Sequence, residues 1–401
     1  MAELALSAFE RSRWPAIVGY YLAGVLAAAQ LGKMSALAPL IAADLGLSLT
    51  TVAVVVSLIE IGGATLGVVA GLLASRLGLV RSLFIGMVCL CAAGVGGGFA
   101  QGGAALLAWR VVEAAGYLGV VVTAPVLVAR VAPPASLGAA MTLWSTFVPV
   151  GIAVGAWGFA GAAAATHWRV ALFCGAGIAV VVMIVCAWMH RRAGHIDGAP
   201  QPQAAWRPAE GRAPMRVSAA TWQLSASFGC YALFEVGTLA LLPLYLTSQA
   251  GASVAEAGRW AALAALATIA GSAAAALWMR HDGSPRGLIG VSLLVPALLL
   301  FGVFVDAPPP AHAAWLAVVL NAVSGAYPAF AFARLPSAAG SAAHLVRANG
   351  VFTQFGASGS LLGPPVMAWF VDRFGWSAVA WCGLAVTIPA ILLVWRRVKA
   401  L

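Results

Sequence analysis

A chain of 401 residues with 62% hydrophobic and only 8% charged side chains, and a mean hydropathy of +0.97, cannot cover a water-facing surface. A soluble domain carries about 25% charged residues, so these figures exclude that class and leave room for about a dozen bilayer spans of ~20 residues. The net charge of +10 does not by itself point to nucleic acid, because its meaning depends on where the 22 Lys and Arg fall.

In chain order, residues 1–13 are short and charged. The first apolar run, 14–37, has no small-residue cleavage site close behind it and reads as a retained span rather than a signal peptide. Further runs follow at 50–73, 80–100, 104–129, 136–163 and 168–189. Segment 190–216 carries Pro200, Pro202, Pro208, Pro214 and five arginines, and reads as a polar linker. Six more runs lie at 217–246, 255–279, 286–305, 312–334, 342–370 and 376–395. The expected organisation is an all-α integral membrane protein of 12 transmembrane helices. It has an N-terminal six-helix bundle (1–189), a cytosolic linker (190–216) and a C-terminal six-helix bundle (217–401).

The charges sort by loop. Three basic residues (Arg169, Arg259, Arg373) fall in one set of alternate loops and two (Lys33, Arg110) inside spans, leaving 17 of the 22 in the other set. That asymmetry is the positive-inside rule and puts both termini in the cytosol, with the chain in the cell's inner membrane. The basic balance therefore reports orientation and no nucleic-acid partner.

The two halves repeat. Phe147, Gly151, Gly155, Trp168, Cys174 and Gly175 recur as Phe355, Gly359, Gly363, Trp376, Cys382 and Gly383, each 208 residues later. A looser copy relates Gly71, Arg76, Gly78 and Arg81 to Ala276, His281, Gly283 and Arg286, 205 residues later. A duplicated half in so apolar a chain is the plan of a secondary transporter, whose binding site lies between the repeats. Glycines every four residues (Gly63, Gly67, Gly71; Gly151, Gly155; Gly359, Gly363) allow helix backbones to approach closely. Trp109, Trp168, Trp315 and Trp376 fall near outer span ends and read as interfacial anchors. The six cysteines all sit in apolar runs, which suits neither a disulfide framework nor a metal site.

Ionisable side chains inside a bilayer are functional candidates by default. Glu60 and Glu235 lie near the middles of the second and seventh runs, where a carboxyl group can load and release a proton. Phe228, Tyr231 and Thr238 share the face of Glu235. Arg110, Glu113 and Tyr117 share one face of the fourth run. They form either an internal ion pair or an anion site in which the planar guanidinium grips a carboxylate. Lys33, one of only two lysines, shares a face with Gln30 toward the outer end of the first run. It snorkels, meets the substrate or pairs with a carboxylate. Tyr231, Tyr327, Asn321 and Gln354 are secondary polar candidates. There is no His-Glu-x-x-His, Gly-x-Ser-x-Gly or Walker-type loop, so neither enzymatic chemistry nor a cofactor is expected.

Two local patterns resemble the major facilitator superfamily. The stretch Gly71-Leu72-Leu73-Ala74-Ser75-Arg76-Leu77-Gly78-Leu79-Val80-Arg81 resembles its signature of Gly, Asp-Arg, Gly and a basic residue, with Ser75 in the place of the Asp. Arg110-Val111-Val112-Glu113-Ala114-Ala115-Gly116 resembles its span-four element, with Ala114 replacing a Gly. Pro149-x-Gly151-x3-Gly155 is similar to the antiporter element but is preceded by Val148 and lacks the double glycine, so drug/proton antiport is not read from it. Segments 30–48 and 231–243 are similar to bacterial permeases of the cyanate-permease type. The resemblance implies two pseudo-symmetric six-helix bundles, a cavity lined by spans one, four, seven and ten, and gating by Arg76, Gly78 and Arg81. It also implies a multi-pass monomer in membrane lipid. Its leading function is proton-coupled movement of a small anionic solute by alternating access. Lys33, Arg110, Tyr117, Tyr231, Tyr327 and Gln354 would contact substrate, and Glu60, Glu113 and Glu235 would carry the proton. Efflux of amphipathic compounds and a solute-binding sensor without transport are the alternatives.

Overall fold

With no water in the bilayer core to satisfy backbone amides, each apolar run must close its hydrogen bonds internally, and a helix does so within one segment. The computed structural model describes residues 13–133, 136–192, 217–281, 283–305, 309–340 and 342–395, and among these there is no strand. Of the expected linker, residues 190–192 extend a helix and 193–216 lie outside the described residues.

The helices of the first half are α1 (Trp14–Leu45), α2 (49–77), α3 (Leu79–Gly98), α4 (Gly103–Val131), α5 (137–165) and α6 (Trp168–Arg192). Those of the second half are α7 (Ala219–Ser248), α8 (Val254–Arg280), α9 (Pro285–Val303), α10 (310–339), α11 (Ala342–Phe374) and α12 (Ala378–Trp395). Small polar residues start several of them. Ser48, Ser218 and Ser253 each accept a first-turn amide, and Ser253 completes a capping box with Glu256. Gly46 ends α1 at φ +61°, and Gly78 turns the chain between α2 and α3 at φ +91°, where a side chain would be strained. Among the described residues, eleven helices are long and apolar enough to cross a membrane. The remaining one, α11, is 33 residues long but is diluted by Gln354, Ser358, Ser360, Pro364 and Pro365.

The repeat seen in the sequence is a repeat of packing. A Cβ on Gly151 would stand 2.7 Å from Val25 O, and one on Gly155 would stand 2.2 Å from Ala29 O, so α5 lies directly on the backbone of α1. In the second half, a Cβ on Gly359 would stand 2.1 Å from Gly229 O and one on Gly363 would stand 2.3 Å from Leu233 O, so α11 lies on α7 in the same way. Val25 to Gly229 and Ala29 to Leu233 are both 204 residues apart, which extends the duplication to α1 and α7. The glycine ladder of α2 is less uniform. Gly63 meets the Ala357 Cβ at 3.1 Å, whereas Gly67 has nothing within 4 Å.

The bundles meet at mid-depth and toward the side away from the chain termini, here called the far side. There Gly258 of α8 packs on Ala156 and Ala160 of α5, within an alanine-rich seam that includes Ala36, Ala153, Ala261 and Ala265. Ser35 Oγ donates to Ala240 O at 2.8 Å, joining α1 to α7. Among the described residues no comparable packing joins α4 and α5 to α10 and α11. Trp168 departs from its expected anchoring role. It is buried at 1% exposure and donates to Asp44 Oδ2 at the far end of α1, 3.0 Å away. Its repeat partner Trp376 packs edge-on against Tyr245 at the far end of α7.

Candidate functional site

At mid-depth α2 stops being an α-helix. Residues Leu49–Ser57 give way to a 3-10 turn, Leu58–Glu60, before Ile61–Leu77 resumes. Such a break frees carbonyl oxygens at the end of the first segment for outside donors. Arg110 of α4 supplies them. Its Nε donates to Val55 O at 2.8 Å and its Nη2 to Val56 O at 2.9 Å. Its Nη1 donates to Glu113, one turn further along α4.

Glu113 is shared. Its other oxygen accepts from Lys33 Nζ of α1, so one carboxylate bridges two cations from two helices. Lys33, Arg110 and Glu113 are exposed by 2%, 1% and 1%. Burial of this degree is tolerated only because each charge has a partner. Lys33 therefore takes the carboxylate-partner role and does not snorkel. Glu60, on the 3-10 turn, is half-buried, faces the Tyr117 hydroxyl and lies within electrostatic reach of Arg110. Five of the expected site residues (Lys33, Glu60, Arg110, Glu113 and Tyr117) are thus assembled on α1, α2 and α4.

A second polar group occupies the other bundle. Glu235 of α7 is half-buried beside the Tyr231 hydroxyl. Tyr231 is 3% exposed and lies near Glu235 and Ser324, yet makes no well-aligned hydrogen bond to either. The rings of Tyr231 and Tyr327 stand 5.3 Å apart. The Tyr327 hydroxyl pairs with Ser227, whose Oγ donates to Ala390 O. Phe228 stacks between Tyr231 and Phe352 and meets Phe332 edge-on. Asn321 is buried on α10, donating through its amide to Ala317 O.

The remaining expected residues lie apart from both groups. Gln354 of α11 donates to Ala64 O of α2 at 3.0 Å, a contact between bundles. Arg76 and Arg81 are exposed on either side of Gly78, at the terminus-side turn between α2 and α3. Other contacts between the bundles were not read from the sequence. Thr50 donates to Asp372, and Ser35 to the backbone of α7. Short hydroxyl side chains at unremarkable positions carry no signal of a partner more than 200 residues away. Among the described residues no group of three or more His, Cys, Asp or Glu could hold a metal ion.

A family model described as Major Facilitator Superfamily matches residues 20–358, and the chain belongs to that superfamily. It is a multi-pass membrane transporter and not an enzyme. No curated protein matches. One similar solved structure is a bacterial homologue of the human lysosomal transporter Spinster, inward-facing and unoccupied. It is 17% identical with a TM-score of 0.72, over 97% of this chain and 95% of that chain. Another is a glutamate-to-glutamine mutant of the peptide transporter POT. Its complex with alafosfalin has a TM-score of 0.78 at 13% identity, over 96% of this chain and 95% of that chain. The complex of the same mutant with sulfate has a TM-score of 0.76 at 13% identity, over 96% and 94%. At these identities the likeness shows the fold.

Proposed function

We propose that this transporter moves a small anionic solute by alternating access, coupled to protons. The observation that carries the reading is the buried Lys33–Glu113–Arg110 group, where two cations share one carboxylate at mid-depth between α1 and α4. Two cations against one fixed acid favour an arriving anion. Glu60 and Glu235 are the proton-site candidates, Glu113 being fixed between its two cations, and Tyr117, Tyr231, Tyr327 and Gln354 are the candidate polar contacts. Binding of sulfate to the peptide transporter POT mutant is compatible with an anion-accepting site in this fold.

In this account the bundles rock about the far-side seam, and the Arg76–Gly78–Arg81 turn closes the terminus side. The terminus side faces the cytosol across the inner membrane, as the loop distribution of arginines supports. The protein works as a monomer in lipid.

A thermal-shift screen of the purified protein against small anions tests the reading, since a ligand of the folded state raises its apparent stability. Stabilisation by at least one anion, lost in Lys33→Ala with Arg110→Ala, is expected. A second reading, export of amphipathic compounds, is favoured by the stacked aromatic wall of Phe228, Tyr231, Tyr327, Phe332 and Phe352 in the second bundle. Stabilisation by amphipathic cations and by no anion would select it.

A further inference from the structure

The charges gathered at mid-depth define the charge of the solute, an inference that rests on the anion reading above. Lys33, Arg110 and Glu113 sum to +1. Glu60 adds a fourth, variable charge: ionised, it brings the sum to zero, and protonated, it leaves +1. The groups that face Glu60 are few. From α4 come Arg110 and Tyr117, with Glu113 between them, and α1 contributes Lys33 through Glu113. From α11 come the neutral Ala357, 3.1 Å from a Cβ on Gly63, and Gln354, bound to Ala64 O. Among the described residues α7 carries one further acid at this depth, Glu235, which has its own tyrosine.

The two acids of the first bundle are not equivalent. Glu113 is clamped between two cations and is held ionised. Glu60 has only a phenol directly on it, so either protonation state can be accommodated. The two cations also differ. All three nitrogens of Arg110 are engaged, two on carbonyls of α2 and one on Glu113. Arg110 commits three of its five N–H donors, two of them to backbone that fixes its plane, whereas Lys33 gives one of its three to Glu113 and none to backbone, so Lys33 is the cation that can turn toward a solute.

We propose that the site takes a monoanion together with one proton, the anion on Lys33 Nζ and the proton on Glu60. With Glu235 neutral beside its tyrosine in both, the empty carrier (Glu60 ionised) and the loaded carrier (Glu60 protonated, monoanion bound) each bury a net charge of zero. Either can cross between its two states without moving charge through the membrane field. A dianion would leave −1 and a neutral solute +1. Glu60 takes its proton from water on the loading side and returns it to water on the other.

The test uses the full-length protein in proteoliposomes. Acetate, pyruvate and benzoate are compared with succinate and phthalate, and nitrate with sulfate, for thermal stabilisation. Uptake of the radiolabelled best binder is then driven either by a pH gradient at zero potential or by a potassium diffusion potential at equal pH. The expected result is a monoanion preference, about tenfold accumulation per unit of pH gradient and none from the potential. Glu60→Gln should lose pH-driven accumulation while exchange of the same anion remains measurable, and Glu60→Asp should restore accumulation. A dianion preference, potential-driven uptake, or pH-driven accumulation in Glu60→Gln would overturn the proposal while leaving anion transport in place. Should Glu60→Gln fail to fold, the comparison of pH and potential in the wild type decides alone. If none of these anions binds or moves, the anion reading itself falls and takes this proposal with it.

Discussion

Asp372 of α11 caps the start of α2 from the opposite bundle: its Oδ2 accepts the Thr50 hydroxyl at 2.6 Å and the Thr50 amide at 3.3 Å. A carboxylate at a helix N-terminus is favourable for the exposed amides and the helix dipole. On the terminus side, Ser75 stands where the superfamily signature has its Asp.

Asp372→Asn should therefore loosen the far side. Because the pair is solvent-exposed, its loss is worth about 0.5–1 kcal/mol, a two- to fivefold shift in population. Ala240→Cys, placed next to Ser35 in a background without native cysteines, reports this through its labelling rate with a membrane-impermeant maleimide added from the far side. Faster labelling with Asp372→Asn is expected; an unchanged rate would show that the cap does not hold the gate.

The repeated glycines make a stability prediction. In Gly363→Ala the new Cβ would stand 2.3 Å from Leu233 O, and the backbone must shift at a cost of roughly 1–3 kcal/mol. Gly158→Ala adds the same atom where nothing lies within 4 Å and should be neutral. Melting temperatures in detergent separate the two. Equal melting points would mean that α11 does not sit on α7 as described.

Removing the shared acid should be worse than removing the pair. Glu113→Gln raises the buried charge from +1 to +2, and breaking a buried pair from one side costs about 3–5 kcal/mol. Adding Lys33→Met returns the sum to +1 and should recover part of that loss. The yield of monodisperse protein and its melting point provide the readout. A Glu113→Gln protein as stable as the wild type would contradict the shared pairing.

Arg110→Lys keeps the charge but not the fork. A lysine ammonium cannot reach Glu113 and both carbonyls at once in the guanidinium's geometry, so Val55 O or Val56 O loses its donor. Each buried carbonyl left alone costs about 1–3 kcal/mol, and the α2 break that places Glu60 should relax. Lower stability and weaker anion binding are expected, against full retention of both if Arg110 acts only through its charge.

The twelve-span plan was readable because hydrocarbon thickness sets run length. The pairing of α1 with α5 and of α7 with α11 was readable because only glycine permits backbone contact, and Gly151, Gly155, Gly359 and Gly363 mark it. Arg110 and Glu113 share a helix face, so their pairing was open to a spacing argument. Lys33 was harder, since its partner Glu113 lies 80 residues away and helix rotation is not written in composition. Arg110 on Val55 O and Val56 O was hidden because nothing in the sequence announces the 3-10 turn at Leu58–Glu60. Trp168 was misplaced because position alone suggested an interface, while Asp44, 124 residues earlier, draws its indole inward.

The most direct measurement of the central claim is proteoliposome uptake of whichever anion most stabilises the purified protein. Saturable uptake that responds to an imposed pH gradient, and that disappears in Lys33→Ala, is the outcome expected of a solute carrier built around the buried cations. Uptake no greater than in protein-free liposomes, or undiminished in Lys33→Ala, would contradict it.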